Sequence, residues 1–290
     1  MKKTIQCIKI HIYQIVSDVS FWVLVLATCL LLLLTEVTYW DISGEEHTNV
    51  LQLIFVKGRD WIYESLDVSR QELFLSQPQR TFCDYIVVLT ALPFVRLVFG
   101  ERQSGMLRNR IYREGNTRFN LTRVVSGICM GGAVVFFGQL LFYLILCLFF
   151  PDMGQIYDKE AILAMYGQKN VTMLLIEQGS KIVLLGCIAS CFSIILSAFT
   201  KDIYVCLMCP FLLCWLSTIL QSYLSGVLYT EYAEEGGRIW GMLGWIQEHG
   251  TLQSIAWLPL MDTGIVCIVF VVLSCLIFTV RMSVRRDLGE

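Results

Sequence analysis

Charged side chains are scarce in this sequence. Asp, Glu, Lys and Arg account for 16% of the 290 residues, against about 25% in a typical soluble domain, whereas apolar residues account for 56%. The few charges are separated by uncharged runs long enough to cross a bilayer. This shortfall excludes an ordinary soluble domain and predicts an integral membrane protein.

The groups that a membrane-embedded catalytic centre needs are also missing. Only three histidines occur, and none lies in an apolar run: His11 precedes the first run, while His47 and His249 lie in connecting segments. The apolar runs contain no acidic pair of the kind that a proton relay or an intramembrane protease uses. A GxxxxGK[ST] phosphate loop is absent as well. We therefore expect that the chain is not an enzyme, binds no cofactor or metal, and does not hydrolyse ATP by itself.

Cysteine, by contrast, is abundant, with twelve residues. Ten of them lie inside apolar runs, where a thiol behaves as a small hydrophobic group. Cys206 and Cys209 have the spacing of a metal motif, but the sequence offers no second pair or histidine beside them. We interpret these cysteines as packing residues.

Six stretches are apolar and long enough to predict transmembrane helices. A helix needs about 20 mostly apolar residues to cross the hydrocarbon core. The second stretch is the weakest because it holds Asp84, Pro93 and Arg96. The predicted spans are 21–39, 82–99, 124–150, 182–199, 203–224 and 264–280. The sequence thus predicts an all-α polytopic membrane protein with one transmembrane domain over 1–290 and both termini on the same side.

Lysine and arginine concentrate on the side of the termini. The connecting segments on that side hold thirteen basic and six acidic residues, whereas those on the other side hold eight basic residues and about twice as many acidic ones. Basic residues favour the cytoplasmic side of a membrane. We therefore expect a multi-pass protein of the cell (plasma) membrane with both termini in the cytoplasm.

The segments between the spans have patterns of their own. In 1–20, isoleucines and valines recur at helical spacing between lysines, which predicts an amphipathic helix in the cytoplasmic interface; a short soluble helix is the alternative. The outer segments are 40–81 and 225–257. The second is too polar to span and rich in tryptophan and glycine, and we interpret it as short outer helices before the sixth span. Residues 200–202 join spans four and five tightly, which predicts a helical hairpin.

Glu36, Asp84 and Arg96 are the ionisable residues inside the predicted spans. Such residues are costly in a bilayer and indicate function by default. Glu36 and Asp84 lie near the outer ends of their spans, and Arg96 lies near an inner end, from which its side chain can reach water. Two interpretations stay open for each residue: solvation at the end of a span, or a role in a transport pathway. Asp84 and Arg96 are about 18 Å apart along a helix and cannot pair within it.

The densest positive charge lies in 100–123, GERQSGMLRNRIYREGNTRFNLTR, which has six arginines. In a cytoplasmic segment these arginines would fix topology and contact anionic lipid. The segment also has an internal pattern: Leu107 and Ile111 share a helix face, the arginines lie mostly elsewhere, and Gly115-Asn116 forms a helix stop. We predict a short amphipathic helix along the cytoplasmic surface.

This segment resembles the one that follows the second span in permease subunits of bacterial type-2 ABC exporters. Those permeases carry an acidic residue, then Ser-Gly-X-Leu/Ile-Arg-Asn-Lys/Arg, then a turn and an arginine. Here Glu101 and 104–111 match, while 115–118 stands where other members have a Pro-Ser-Arg turn. In the family the segment is a coupling helix that sits in a cleft of a separate ATPase. The resemblance implies ATPase-coupling roles for Glu101, Ser104, Gly105, Arg108, Asn109, Arg110, Arg113 and Arg118.

The resemblance also implies a function. The chain would be a permease that exports an amphipathic cargo, such as a peptide (by analogy an antimicrobial peptide) or a lipid-like molecule. Its partners would be ABC ATPase subunits that bind ATP and Mg, a second permease of the same or another kind, and membrane lipids, but no nucleic acid. The alternative from another class is a non-transporting six-span sensor or scaffold that binds peptides through its outer segments.

Overall fold

The chain folds mainly into long helices, as the apolar runs predict. The computed structural model describes residues 2–34, 36–41, 44–65, 68–76, 80–103, 115–166, 170–200, 202–231, 252, 255 and 258–287. In chain order the elements are α1 (Lys2–Val16), α2 (Val19–Leu33), β1 (Glu36–Asp41), β2 (Gly44–Asn49), α3 (Val50–Gln52), a π-helical turn (Leu53–Lys57), α4 (Gly58–Ser65), α5 (Arg70–Leu75), α6 (Arg80–Gln103), α7 (Asn116–Phe149), α8 (Met153–Ile156), α9 (Lys159–Tyr166), α10 (Val171–Phe199), α11 (Ile203–Glu231) and α12 (Leu260–Asp287).

The prediction of a helical, polytopic membrane protein is confirmed. Within the described residues, five helices are long and apolar enough to cross a membrane, or six if α1 and α2, which are bent by 69° at their junction, count as one span. Predicted spans two to six each lie on one long helix: α6, α7, α10, α11 and α12. These helices extend beyond the predicted bounds, because the polar residues at their ends lower hydropathy without breaking the helix.

The first predicted span, 21–39, is wrong at its outer end. The helix α2 ends at Leu33 and is about 22 Å long, which is short of the roughly 30 Å hydrocarbon core. The chain then forms β1, which pairs antiparallel with β2 from Glu36 opposite Asn49 to Asp41 opposite Gly44. Two β-branched residues followed by two aromatic ones, at 37–40, favour this strand. An apolar run in the hydropathy profile does not show where a helix ends and an apolar strand begins, so the prediction joined the two. The hairpin is a small departure from the predicted all-α fold.

Two helices, α7 and α10, lie at the centre of the bundle. The helix α10 packs against α6, α7, α11 and α12, and α7 also packs against α1, α2, α6 and α12. At their closest approach a Cβ added to Gly131 would lie 2.7 Å from Ser190 Cβ, and one added to Gly186 would lie 2.6 Å from Val135 Cγ2. Small residues permit this approach, and close packing is what holds helices together where no hydrophobic driving force exists between them.

The buried cysteines fill this interior. Cys83, Cys191, Cys206 and Cys214 are buried and not joined in disulfides, and each packs within an apolar cluster of the bundle. Cys209 is half-buried on the adjacent turn of α11. Packing is thus the role that the described contacts give to these side chains.

The first outer segment is fixed onto the end of α7 by a polar cluster. Arg70 Nη2 lies 3.3 Å from Asp152 Oδ2, and the Gln71 amide donates a hydrogen bond to Asp152 Oδ1. The Met153 amide donates to Gln71 Oε1 at 3.0 Å, and the Arg70 amide donates to the Pro151 carbonyl at 3.1 Å. Arg70 and Gln71, the first two residues of α5, therefore hold this helix against the end of α7 and the start of α8.

The connection between α10 and α11 is as tight as the sequence predicts. The helix α10 ends at Phe199 and α11 begins at Ile203, and the two contact each other. The helix α11 continues to Glu231, past the predicted end of the fifth span. The predicted outer helices of 225–257 lie largely outside the described residues, but Leu252 and Ile255 pack into the main apolar cluster.

Candidate functional site

The helices α6 and α7 approach the arginine-rich segment from one end of the bundle. The helix α6 ends at Gln103, and α7 begins at Asn116 after Gly115, whose φ of 82° lies in the region that favours glycine. We call this end, formed by α1 together with 96–103 and 115–123, the basic end.

The predicted ATPase-coupling residues occupy or flank the segment that joins these two helices. Glu101 lies in the last turn of α6. The turn predicted at 115–118 is shorter than expected, because Asn116 already begins α7. Arg118 therefore lies in the first turn of α7, where it is exposed. The other predicted coupling residues lie outside the described residues: Ser104, Gly105, Arg108, Asn109, Arg110 and Arg113.

The amphipathic helix α1 packs along the first turns of α7. Its residue Ile15 is buried in a cluster with Phe21 of α2 and Met130 of α7. Ile10 and Tyr13 point away from the bundle and are 52% and 74% exposed. The helix therefore has one apolar stripe against α7 and further apolar side chains left for a bilayer surface, which is the arrangement of an interfacial helix.

A buried polar cluster joins α1 to α7 at the basic end. His11 of α1 is only 2% exposed, and its ring meets the Phe119 ring edge-on with centroids 5.7 Å apart. Asn120 and Arg123 of α7 are fully buried, and the Arg123 guanidinium lies 5.5 Å from the Phe119 ring centroid. Because burial of a charge is costly, the electron-rich face of Phe119 is a favourable neighbour for this guanidinium.

The sequence pattern did not identify this cluster. It placed Arg123 just before a span beginning at Val124 and treated it as one of six arginines in a cytoplasmic segment. The helix α7 begins eight residues before that predicted start, so Phe119 and Arg123 share one helix face, four residues apart. That spacing is the signal that was available in the sequence.

Arg96, for which solvation at the end of a span and a pathway role both stayed open, pairs with the corner between α1 and α2. Arg96 Nε lies 3.3 Å from Asp18 Oδ2, beside a cavity of about 270 Å³ that Pro93 and Gly100 also line. Asp18 in addition caps α2 by accepting a hydrogen bond from the Ser20 amide. Because the two side chains are 62% and 35% exposed, the pair contributes at most about 1 kcal/mol to stability. Its effect is to orient α6 against the α1–α2 corner.

The structure does not bring the three predicted intramembrane residues together. Glu36 is not inside a helix at all: it is the first residue of β1 and is exposed. Asp84 is half-buried near the start of α6, about 18 Å along the helix from Arg96. The predicted inability of Asp84 and Arg96 to pair agrees with the observed partner of Arg96, which is Asp18.

A further charged pair lies on α10. Lys181 Nζ is 3.1 Å from Glu177 Oε1, one helical turn away. Both residues precede the predicted start of the fourth span at residue 182, but α10 begins at Val171. An i,i+4 ion pair reduces the cost of placing either charge near the bilayer.

The contacts at the basic end connect both flanks of the arginine-rich segment to the first two helices. On the α6 side, Arg96 pairs with Asp18 at the α1–α2 corner, and on the α7 side, Phe119 contacts His11 of α1. The helix α7 in turn packs closely on α10 in the centre of the bundle.

No protein-family model matches this chain, and neither a curated protein nor a solved structure matches it. A functional interpretation therefore depends on the residues of the chain itself and on the resemblance of its arginine-rich segment.

Proposed function

We propose that this chain is the membrane permease subunit of an ABC exporter and that a separate ATPase drives it. The observation that carries the proposal is the position of the SGMLRNRI motif. This motif lies in the short connection between two long apolar helices, of which α7 packs against the amphipathic helix α1 and α6 packs against α2. A docking segment for a motor needs such a position, because it must be exposed to the motor and joined to the helices that move.

In the proposed mechanism, nucleotide binding closes the ATPase subunits and displaces the arginine-rich segment. Glu101, Arg108, Asn109, Arg110 and Arg113 supply the charged and polar contacts to the ATPase. The segment moves α6, α7 and α1 as a unit, and the bundle changes between inward-open and outward-open arrangements. ATP must bind one of these arrangements more tightly than the other, since a ligand shifts an equilibrium only through differential affinity.

The proposal assigns ATP and Mg to the partner ATPase and places both termini in the cytoplasm of a cell membrane. A second permease, identical to this chain or related to it, completes the path. The cargo is amphipathic, either a peptide or a lipid-like molecule, because the spans contain few charges with which to bind a strongly ionic one.

Purification of the chain from its native membrane tests the proposed function. We expect a tagged full-length chain, extracted in mild detergent, to bring down an ATPase with a GxxxxGK[ST] loop in a fixed ratio, and the complex to hydrolyse ATP. The expected partner is encoded in a neighbouring reading frame. The control is an unrelated six-span protein with the same tag. If the chain is recovered in large amounts without any such ATPase, the proposal is wrong.

The orientation has a separate test through Ser104→Cys in a variant whose native cysteines are replaced. Basic residues favour the cytoplasm, so an impermeant maleimide should leave residue 104 unmodified in intact cells and modify it after permeabilisation. The matched control is Phe55→Cys, which is on the other side in this topology and 80% exposed. It should react in intact cells. Modification of residue 104 from outside would reverse the topology.

The alternative, a peptide-binding sensor or scaffold, has one structural observation in its favour. The hairpin β1–β2 and the helix α5 form a folded outer segment fixed onto α7 through Gln71 and Asp152. A sheet edge there is suited to adding an extended peptide as a strand. The purification separates the two functions, because a sensor of this kind needs no ATPase in stoichiometric amounts.

A further inference from the structure

We infer that a cavity between α7 and α10 is a binding site for the acyl chain of an ester-linked glycerolipid. The cavity has a volume of about 630 Å³, within the range of small-molecule sites. Its walls are mostly apolar and include Phe74 of α5, Leu140 of α7, and Leu175 and Leu184 of α10. This inference depends on the cavity alone and holds whether or not an ATPase drives the protein.

One polar group inside the cavity indicates which hydrogen-bonding group the ligand must carry. The side chain of Gln139 lines the cavity, is only 5% exposed, and its Nε2 has no hydrogen-bond partner among the described residues. A buried amide donor without a partner is costly. Ser180, another polar residue of the wall, already donates to the Ile176 carbonyl at 2.7 Å. The Gln139 side-chain amide therefore needs a hydrogen-bond acceptor, which the ligand can supply.

The charges around the cavity exclude an ionic ligand group inside it. No charged side chain lines it in the described part of the chain. The nearby charges are already paired, Lys181 with Glu177 and Arg70 with Asp152. The group that enters is thus uncharged, apolar along most of its length, and carries an acceptor such as a carbonyl oxygen.

The position of the cavity favours a lipid as the source of this group. Phe136 and Ile176 lie on its walls and are 50% and 65% exposed, so the cavity opens sideways from the bundle toward the bilayer. Gln139 lies beside Gly179 of α10, which stands between the charged residues Glu177 and Lys181. Because charged side chains are costly deep in a bilayer, this level of the bundle is expected near the hydrocarbon boundary. The ester carbonyls of a glycerolipid lie at that boundary, within reach of the Gln139 amide, and its chain continues into the cavity.

Gly179 gives a matched pair of variants with which to test the site. A Cβ at this position would lie 3.6 Å from Phe74 Cζ and 3.9 Å from Gln139 Oε1, which are ordinary contacts. Gly179→Ala should therefore fit and leave most of the volume open, whereas Gly179→Leu should obstruct the cavity between Phe74 and Gln139. Leu184→Trp narrows the cavity from another wall and replaces Gly179→Leu if that variant does not fold.

The experiment uses the full chain in nanodiscs of dioleoyl phosphatidylcholine. About one lipid in a hundred is a probe, a phosphatidylcholine that carries a photoreactive diazirine on one acyl chain. After photolysis, we expect adducts on cavity residues of α7 and α10 in the wild-type chain and in Gly179→Ala, and about tenfold fewer in Gly179→Leu. Adducts at Ile268, a residue of α12 that is 64% exposed, should be equal in all variants and report that the protein is folded and surrounded by lipid.

A second arm tests the hydrogen bond from Gln139. When the bulk lipid is changed to its ether-linked analogue, which lacks the carbonyl, the ester-linked probe should gain about threefold to tenfold in occupancy of the cavity. Gln139→Leu should remove this preference and leave Ile268 labelling unchanged.

Three results would overturn the assignment. Cavity adducts that are as frequent in Gly179→Leu and Leu184→Trp as in Gly179→Ala would show that no lipid enters the cavity. An equal occupancy in ester and ether lipid, with wild-type Gln139 present, would show that the amide does not bind the ester group. Absence of cavity adducts despite normal Ile268 labelling, as a second copy covering the cavity would produce, also contradicts the inference.

Discussion

The double variant Arg108→Ala/Arg110→Ala should lose both ATPase binding and transport, the largest functional effect that we expect from this chain. In the proposed complex these arginines form charged contacts with the ATPase. Truncation of one partner of a buried charge pair costs about 2–5 kcal/mol, which lowers affinity at least about thirtyfold. The measurement is the amount of ATPase recovered with the tagged variant from membranes that contain both proteins, together with cargo-stimulated ATP hydrolysis.

The controls for this variant must separate coupling from topology, because the same arginines contribute to the positive charge of their side of the membrane. Lys2→Ala/Lys3→Ala removes the same charge from the N-terminal segment on that side and should leave ATPase recovery near the wild-type level. Arg108→Lys/Arg110→Lys keeps the charge but loses the bidentate hydrogen bonding of a guanidinium. We therefore expect coupling between that of the wild type and that of the alanine variant. Unchanged ATP hydrolysis and transport in the alanine variant would refute the role of this segment as a docking site.

Gly131→Val should have the largest effect on stability. Even the first carbon of a side chain at this position would lie 2.7 Å from Ser190 Cβ and 3.4 Å from the Gly186 carbonyl oxygen. Ser190 Cβ is bonded directly to the backbone and cannot turn away, so α7 and α10 must separate. Overpacking of this kind costs typically about 1–3 kcal/mol, and more when two backbones must move. The midpoint of thermal unfolding in detergent measures the effect.

Two further experiments show whether close helix packing is the cause. Gly264→Val adds the same side chain to α12 at a position where nothing lies within 4 Å of a new Cβ, and it should unfold near the wild-type temperature. In a double-mutant cycle, Ser190→Gly should recover most of the stability lost in Gly131→Ala, because it removes the two nearest atoms. Independent, additive effects of the two substitutions would contradict the close approach of these helices.

The central helix pair combines a tight end and an open end. Residue numbers rise along α7 as they fall along the facing side of α10, so that Gly131 meets Ser190 while Gln139 lies near Gly179. The backbones of α7 and α10 approach each other near Gly131 and Gly186. Nearer Phe74 the two helices are further apart, and the cavity lies between them. The tight end is therefore the one nearer the basic end, and the proposed lipid site lies further along the same helix pair.

The functional residues differ in how far the sequence identified them. The motif around Arg108 is visible in the sequence because it is a local pattern of neighbouring residues. Arg96 and Asp84 were found because a charge in an apolar run is conspicuous, but the partner of Arg96 was not, since Asp18 is 78 residues away in the chain. Gln139 was not singled out, because an uncharged amide within a long apolar run gives no signal unless its burial and lack of a partner are known.

The sequence by itself determined that the protein is a bundle of apolar helices and where most of these helices lie, because the cost of burying polar groups in a bilayer is summed residue by residue along the chain. It also determined that the arginine-rich segment joins α6 to α7. Only the tertiary structure decided which sides of the helices meet: Gly131 against α10, Arg96 on Asp18, and His11 and Arg123 around Phe119. A helix that is apolar on every side can be rotated without any change in its hydropathy pattern, so its contacts are fixed by the shapes of the side chains that it meets.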